Sequence, residues 1–109
     1  MNVRTRKEGP WTVIEVDGEI DAHTAPGLKE AIGGSIDHGE RKIVVDLEGV
    51  SFMDSTGLGV LVSALKRIEH EDGKLRVASA SRPILRVMQI TGLDKIMPLY
   101  AAASQATAA

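Results

Sequence analysis

The sequence predicts a mixed α/β domain in which helices pack against one sheet of four to five strands. Short β-branched runs, such as residues 11–16 and 43–47, alternate with segments whose apolar residues recur at helical spacing. A long helical segment separates residues 43–47 from the run 74–78, which is the spacing of a parallel strand–helix–strand unit. At 109 residues the chain is long enough for one hydrophobic core and too short for two. We therefore expect a single domain over residues 1–109.

The N-terminal half is predicted to form a hairpin followed by a helix. Residues 3–7 are a polar edge strand, joined by a Gly-Pro turn to a strand at 11–16 that closes at Asp17-Gly18. Thr24 is predicted to cap the first helix, which ends near residues 37–39. Gly33-Gly34 costs this helix about 1 kcal/mol per glycine relative to alanine, so we expect it to be short or mobile.

The C-terminal half continues the alternation. The near-continuous apolar run 43–47 predicts a central strand buried on both faces. An amphipathic helix follows from about Ser55 to residue 71, then a strand at 74–78 and a second helix with Ser81 as its cap and Gly92 at its end. Residues 96–99 are predicted as a last edge strand. Since residues 101–109 carry mostly small side chains, we expect an ordered core over about 3–99 and a weakly ordered tail over 100–109.

The composition excludes several classes of function. The formal net charge of −2 and the three aromatic residues leave neither the basic stripe nor the stacking surface of a nucleic-acid binder. The absence of cysteine excludes disulfides, thiolate metal sites and cysteine nucleophiles. No signal segment is recognisable, and no apolar run is long enough to span a bilayer. We therefore expect a cytoplasmic protein with no membrane partner, monomeric when free.

The most informative feature is the junction at Asp54-Ser55, where the central strand gives way to the long helix. A hydroxyl at this place lies beside unpaired backbone N–H groups and the positive end of the helix dipole, a position that tolerates a phosphate. Gly57 and Gly59 are expected to keep the helix entrance bare, so that a partner can approach Ser55. These observations predict a regulatory phosphorylation site.

A second polar residue is expected near this junction. Asp21 also leaves a strand just before a helix, and functional residues in such sheets gather beyond the carboxyl ends of parallel strands. If the strands at 11–16 and 43–47 are neighbours, Asp21 and Ser55 share one rim of the sheet.

Enzymatic and metal-binding interpretations of the junction are weaker. A nucleophile elbow needs glycine where Met53 stands, and a dinucleotide fingerprint needs glycine where Val62 stands. The scattered aspartates, Asp21, Asp46 and Asp54, are more typical of caps and turns than of a metal site. We therefore expect no cofactor, no metal and no catalysis, with weak nucleotide binding or hydrolysis at the serine as the remaining enzymatic alternative.

A family resemblance rests on four stretches of the chain. The first runs from residue 44 to residue 59 and includes Phe52-Met53-Asp54-Ser55-Thr56-Gly57-Leu58-Gly59. The other three are Gly18-Glu19-Ile20-Asp21, Thr24-Ala25-Pro26 and Ile90-Thr91-Gly92-Leu93. These stretches resemble the STAS domains of bacterial anti-sigma factor antagonists, most of all the single-domain type of actinobacteria. The resemblance implies the STAS fold, a mixed sheet with helices mainly on one side.

The resemblance also implies a partner-switching cycle that regulates transcription, for example in a stress response. The unphosphorylated antagonist binds an anti-sigma factor that is itself a serine kinase, which frees a sigma factor. Phosphorylation on Ser55 releases the antagonist, and a PP2C-type serine phosphatase resets it. Asp54, Thr56 and Gly57 are implied to frame the acceptor, and Asp21 to contribute a polar contact. With Gly59, these residues and Ser55 form the expected partner-binding set.

Two points stay open at the level of sequence. Thr56 offers a second hydroxyl beside Ser55. The chain could also be a constitutive STAS scaffold subunit of a transporter or stress-signalling complex, in which case Ser55 would only cap a helix.

Overall fold

The strands form one sheet whose spatial order follows the chain. The computed structural model describes residues 1–108, and its sheet has the order β1-β2-β3-β4-β5. Strand β1 runs antiparallel to β2, and every other neighbouring pair is parallel. The strands are β1 (Asn2–Glu8), β2 (Trp11–Ile20), β3 (Lys42–Met53), β4 (Lys74–Ala78) and β5 (Leu99–Tyr100).

Helices connect the parallel strands and cover mainly one face of the sheet. They are α1 (Ala25–Asp37), α2 (Ser55–His70), α3 (Arg82–Thr91) and α4 (Ala103–Ala108), with a 3-10 turn at Leu93–Lys95. The predicted mixed α/β class is confirmed. Across the described residues, no helix combines the length and the apolar character needed to cross a membrane.

The core has a large and a small part, because side chains of a strand alternate between its two faces. Val45 packs in the large cluster beneath α1, α2 and α3, whereas Val44 faces the small cluster on the other side. Both residues are fully buried, as predicted for a central strand. The small cluster consists of Trp11, Val13, Val44, Ala78, Ala103 and Ala106.

The two central strands are longer than the sequence predicts. Strand β2 continues past Asp17-Gly18 to Ile20, and β3 continues to Met53, directly before α2. Register shifts accompany the extension, since two steps on β2 (Glu15 to Asp17) match three on β3. Such bulges bend a strand without ending it. Gly49 leaves room for the Asp17 carboxylate there, which would have to turn away if position 49 carried a Cβ.

The first helix differs from its prediction in two ways. It is not short, since α1 runs for 13 residues through Gly33-Gly34. Tertiary packing outweighs the glycine cost here, because Leu28, Ile32 and Ile36 are buried on one face. Thr24 occupies the N-cap position, but its side chain makes no capping hydrogen bond. Thr24 instead donates its hydroxyl proton to the carbonyl oxygen of Glu19, at 2.8 Å.

The C-terminal region also departs from expectation. Gly92 ends α3 in the left-handed conformation (φ 79°), as predicted, but the following 3-10 turn displaces the last strand from 96–99 to Leu99–Tyr100. Ser81 stands at the N-cap of α3 without a side-chain capping bond. Residues 103–108, expected to fray, form α4 on the otherwise helix-free face, where the Arg76 guanidinium donates to the Ala106 carbonyl oxygen at 2.7 Å.

Candidate functional site

The ends of β2 and β3 meet at one rim of the sheet. The two strands are parallel neighbours, and Ile20 stands opposite Met53 in the last paired position. The backbone N–H of Asp54 then donates to the carbonyl oxygen of Ile20, at 3.1 Å. This bond joins the two strand ends, so Asp21 and Ser55 lie on the same rim, as expected for neighbouring strands.

The helix cap at this rim is Asp54. Its backbone is extended (φ −96°, ψ −173°), and its carboxylate accepts from the N–H groups of Thr56 (2.9 Å) and Gly57 (3.4 Å). An aspartate in this role satisfies backbone donors that the helix leaves unpaired and complements the helix dipole. The alternative in which Ser55 serves as the cap is therefore wrong.

Ser55 is the first residue of α2 and is exposed. Within residues 1–108 its hydroxyl forms no hydrogen bond. Thr56 is exposed as well, one position further along the same turn. Both hydroxyls are therefore open to solvent, and in the described chain neither forms a hydrogen bond; only the backbone N–H of Thr56 is bound, by Asp54.

Gly57 and Gly59 have opposite environments. A Cβ on Gly57 would lie 2.6 Å from the Cγ of Met53 and 2.7 Å from the Cγ2 of Ile20, and Gly57 is buried. A Cβ on Gly59 would meet nothing within 4 Å. The expectation that both glycines keep the helix entrance bare thus holds for Gly59 alone. Gly57 lets the first turn of α2 sit directly on the strand ends.

Asp21 organises the turn between β2 and α1. Its carboxylate accepts from the N–H groups of His23 (2.9 Å) and Thr24 (3.0 Å), and its own N–H donates to the Thr24 hydroxyl (3.0 Å). The bond from the Thr24 backbone is the largest cause that lowers the pKa of Asp21, while partial desolvation of the carboxylate acts in the opposite direction. Asp21 therefore accepts two backbone N–H groups of this turn, and the Thr24 hydroxyl accepts the backbone N–H of Asp21 in return.

The rim is acidic and contains no ion pair. None of the salt bridges found in the described chain involves Glu19, Asp21 or Asp54. The positive charge near Ser55 comes from the N-terminal end of α2, whose backbone donors already bind Asp54. Asp46, the other aspartate considered in the sequence, lies away from the rim, where its buried carboxylate accepts from the N–H of Glu48 in the bulged part of β3.

The sequence patterns do not assign Phe52, an apolar residue at the rim, to the site. Phe52 is 48% exposed, near the end of β3 and three residues before Ser55. The first register shift turns Val50 inward and the second restores the alternation, so that Met53 points into the large core cluster and Phe52 faces the other way. Exposed aromatic side chains, Phe among them, are enriched at protein-binding surfaces.

Known proteins share both the sequence and the shape of this chain. The STAS domain family matches residues 2–106. The anti-sigma-B factor antagonist of Staphylococcus aureus is 39% identical over 97 residues, which cover 89% of this chain and 90% of that protein. An anti-sigma factor antagonist from Mycobacterium paratuberculosis has a crystal structure with a TM-score of 0.89 and 34% identity, covering 98% of this chain and 91% of that one.

A third relative has been solved in two chemical forms. The Bacillus cell fate determinant SpoIIAA in its phosphorylated form gives a TM-score of 0.76 at 26% identity, covering 97% of this chain and 96% of that one. Its unphosphorylated form has the same fold, with a TM-score of 0.74 at 24% identity and coverage of 98% and 94%. The chain therefore belongs to the STAS-domain family, among the relatives of bacterial anti-sigma factor antagonists.

Proposed function

We propose that this chain is an anti-sigma factor antagonist whose binding is switched by phosphorylation of Ser55. The unphosphorylated form binds an anti-sigma factor that is also a serine kinase, and a sigma factor is freed. Phosphorylation of Ser55 releases the antagonist, and a PP2C-type serine phosphatase restores it. Because sigma factors act on RNA polymerase, this cycle runs in the cytoplasm. The chain is a substrate in the cycle and has no catalysis of its own.

The observation that carries this proposal is the free hydroxyl of Ser55. It lies at the first position of α2, exposed, while Asp54 performs the capping. A phosphate at a helix N-terminus stabilises a helix by about 0.3–1 kcal/mol or leaves it unchanged. SpoIIAA keeps this fold in both its phosphorylated and its unphosphorylated form, which supports a switch that leaves the fold intact. The modification is therefore expected to act on the surface and not on the fold.

The electrostatics of the rim explain how such a phosphate would release a partner. A phosphoserine brings about −1.5 to −2 charges at neutral pH. Glu19, Asp21 and Asp54 already make the rim acidic, and none of them is in a salt bridge. Two unit charges about 8 Å apart near a protein surface repel by roughly 2 kcal/mol, which corresponds to about a thirtyfold change in Kd. A kinase that holds nucleotide phosphates at this surface would therefore lose affinity.

Partner-facing roles for the remaining rim residues follow from their exposure. Thr56 and Gly59 are exposed beside Ser55, so they are placed to contact the partner directly. Gly57 is buried and would act only by holding the first turn of α2 in place. Asp21 is half-buried and would contribute through the turn that it organises. Phe52 adds apolar contact area to the same surface.

The experiment combines mass measurement with three variants. The chain, purified from its source organism, is mapped for a single phosphate by peptide mass analysis across residues 43–66. In parallel, the anti-sigma factor kinase that copurifies with it is titrated against the Ser55→Ala, Ser55→Asp and Thr56→Ala variants. The proposal expects a phosphate on Ser55, retained binding by Ser55→Ala and Thr56→Ala, and at least ~tenfold weaker binding by Ser55→Asp.

Other outcomes decide against the proposal. A phosphate confined to Thr56 would transfer the switch to that residue. Equal affinity of Ser55→Ala and Ser55→Asp, with no phosphate under any growth condition, would favour the constitutive scaffold. Nucleotide turnover by the purified chain that Ser55→Ala abolishes would instead indicate an enzyme.

A further inference from the structure

The outward side of α3 carries basic and apolar side chains in one row. Arg82, Leu85, Arg86, Gln89 and Ile90 recur at spacings of three and four, so they lie on the same side of the helix. Ile84 and Met88 occupy the opposite, buried side. We call the first five residues the α3 stripe. Four of them are exposed and Leu85 is half-buried.

The two arginines of the α3 stripe are the unpaired ones of the described chain. Arg4, Arg6, Arg41 and Arg67 each form a salt bridge with a carboxylate. The guanidinium carbon of Arg76 lies 4.3 Å from the centre of the Trp11 ring, and the guanidinium group donates to the carbonyl oxygen of Ala106 in α4. Within residues 1–108, neither Arg82 nor Arg86 has an acidic partner, and α3 itself contains no acidic residue.

Neither the charge of Arg82 nor the side chain of Ile90 serves the stability of the isolated domain. Arg82 is the first residue of α3, where a cation is unfavourable because the helix dipole is positive at that end. Ile90 is 77% exposed, more than any other large hydrophobic residue in the described chain. An open depression of about 570 Å³ runs along the same side, lined by Arg82, Pro83, Leu85, Arg86 and Gln89.

We propose that the α3 stripe is a docking surface for an acidic amphipathic helix of a protein partner. Unpaired guanidinium groups one helical turn apart match carboxylates at the same spacing, and they bind them in a forked geometry. Leu85 and Ile90 then receive the apolar side chains of the same partner helix. The 10 residues of α3 span about 15 Å, which fits roughly three turns of such a helix.

An anionic membrane is the less favoured occupant of this surface. Membrane-surface helices carry a broad apolar face with aromatic residues at the interface, together with many cations. The stripe has two cations and two apolar residues, none of them aromatic, on a chain whose net charge is −2. The surface lies on a different helix from Ser55, so this proposal does not rest on the phosphorylation switch.

The test uses two synthetic peptides on the full chain labelled with nitrogen-15. Both are amphipathic helices of roughly 18 residues with the same leucine row, one with glutamate and the other with lysine on its polar side. The Arg82→Glu/Arg86→Glu variant removes the proposed charges. Lys29→Glu/Lys66→Glu is the matched control, because it reverses two exposed cations on α1 and α2. Amide spectra of both variants verify that the fold is intact.

The expected result is selective for charge and for place. The glutamate peptide shifts the amide signals of residues 82–92, and the Kd of this binding rises with salt. The Arg82→Glu/Arg86→Glu variant binds the peptide at least ~tenfold more weakly, whereas the Lys29→Glu/Lys66→Glu control changes the Kd less than ~twofold. Substitution Ile90→Ser weakens the same peptide without altering its preference over the lysine peptide.

A second measurement addresses the natural partner. A photoreactive residue in place of Gln89 is expected to crosslink, in the source organism, to a peptide that contains several Asp or Glu residues at helical spacing. The Arg82→Glu/Arg86→Glu change is expected to abolish this crosslink. Equal binding of the two peptides, an equal effect of the control variant, or binding to anionic lipid vesicles in place of the glutamate peptide would overturn the proposal.

Discussion

Replacement of Gly57 by alanine tests how the rim is built, and it needs no partner. The new Cβ would lie 2.6 Å from Met53 Cγ and 2.7 Å from Ile20 Cγ2, distances that require atoms to move. The Ile20 methyl group belongs to a stiff β-branched side chain, and Met53 is held in the core. Overpacking of this kind costs about 1–3 kcal/mol.

Gly59→Ala is the matched control for this substitution. Both glycines lie in the first turns of α2, and alanine is the better helix former by about 1 kcal/mol at either position. The Cβ on Gly59 meets nothing within 4 Å, so only the helix gain remains. The difference in unfolding free energy between the two variants therefore isolates the overpacking cost, about 1–3 kcal/mol in favour of Gly59→Ala.

Urea unfolding followed by circular dichroism and by the fluorescence of Trp11, the single tryptophan, measures this difference. With a slope near 2 kcal/mol per M, the two unfolding midpoints should differ by about 0.5–1.5 M. Equal slopes would show that both variants unfold from comparably folded states. Coincident midpoints would refute the reasoning, because they would mean that the first turn of α2 does not sit directly on Ile20 and Met53.

Three further predictions concern stability and acid sensitivity. Asp54→Ala should lower the unfolding free energy by about 1 kcal/mol, whereas Ser55→Ala should change it by less than about 0.5 kcal/mol; equal losses would return the capping role to the serine. Because hydrogen bonds lower the pKa of Asp21 in the folded state, its stabilising contribution is present above the ordinary aspartate pKa and is lost as the pH falls through the folded value. Urea midpoints below about pH 4 should therefore fall less steeply in Asp21→Asn than in the unaltered chain, and parallel curves would contradict this. Removal of residues 103–109 should raise acrylamide quenching of Trp11, now 2% exposed, and lower stability by about 1–3 kcal/mol; unchanged quenching would show that α4 does not cover that face.

Local patterns of the sequence are sufficient for the order of the main elements. The apolar run 43–47 and the helical spacing of α2 are properties of neighbouring residues, so the first half of β3 and nearly all of α2 are predictable at their observed positions. The position of Ser55 at the strand–helix junction follows for the same reason. The prediction that Gly92 ends α3 succeeds because the left-handed conformation is a property of one residue.

Other features depend on contacts between distant parts of the chain. Strand β2 continues through Gly18 only because β3 accommodates extra residues opposite it, which no pattern within β2 indicates. The small side chains of residues 103–108 carry no clear signal of order, yet Arg76 and the apolar face around Trp11 provide a surface for them. Local propensity could not anticipate either result, since the stabilising partner lies far away in the sequence.

The sequence by itself determined the class of fold, the chain order of its elements and a serine at the start of a helix, because each depends on residues close together in the chain. Only the tertiary structure decided that Asp54 caps α2, that Gly57 faces the core while Gly59 faces solvent, and that Phe52 is exposed at the rim. These depend on the direction in which each side chain points, which the packing of β2, β3 and α2 against one another sets. The placement of α3 in the fold, likewise, leaves Arg82 and Arg86 without an acidic partner in the described chain.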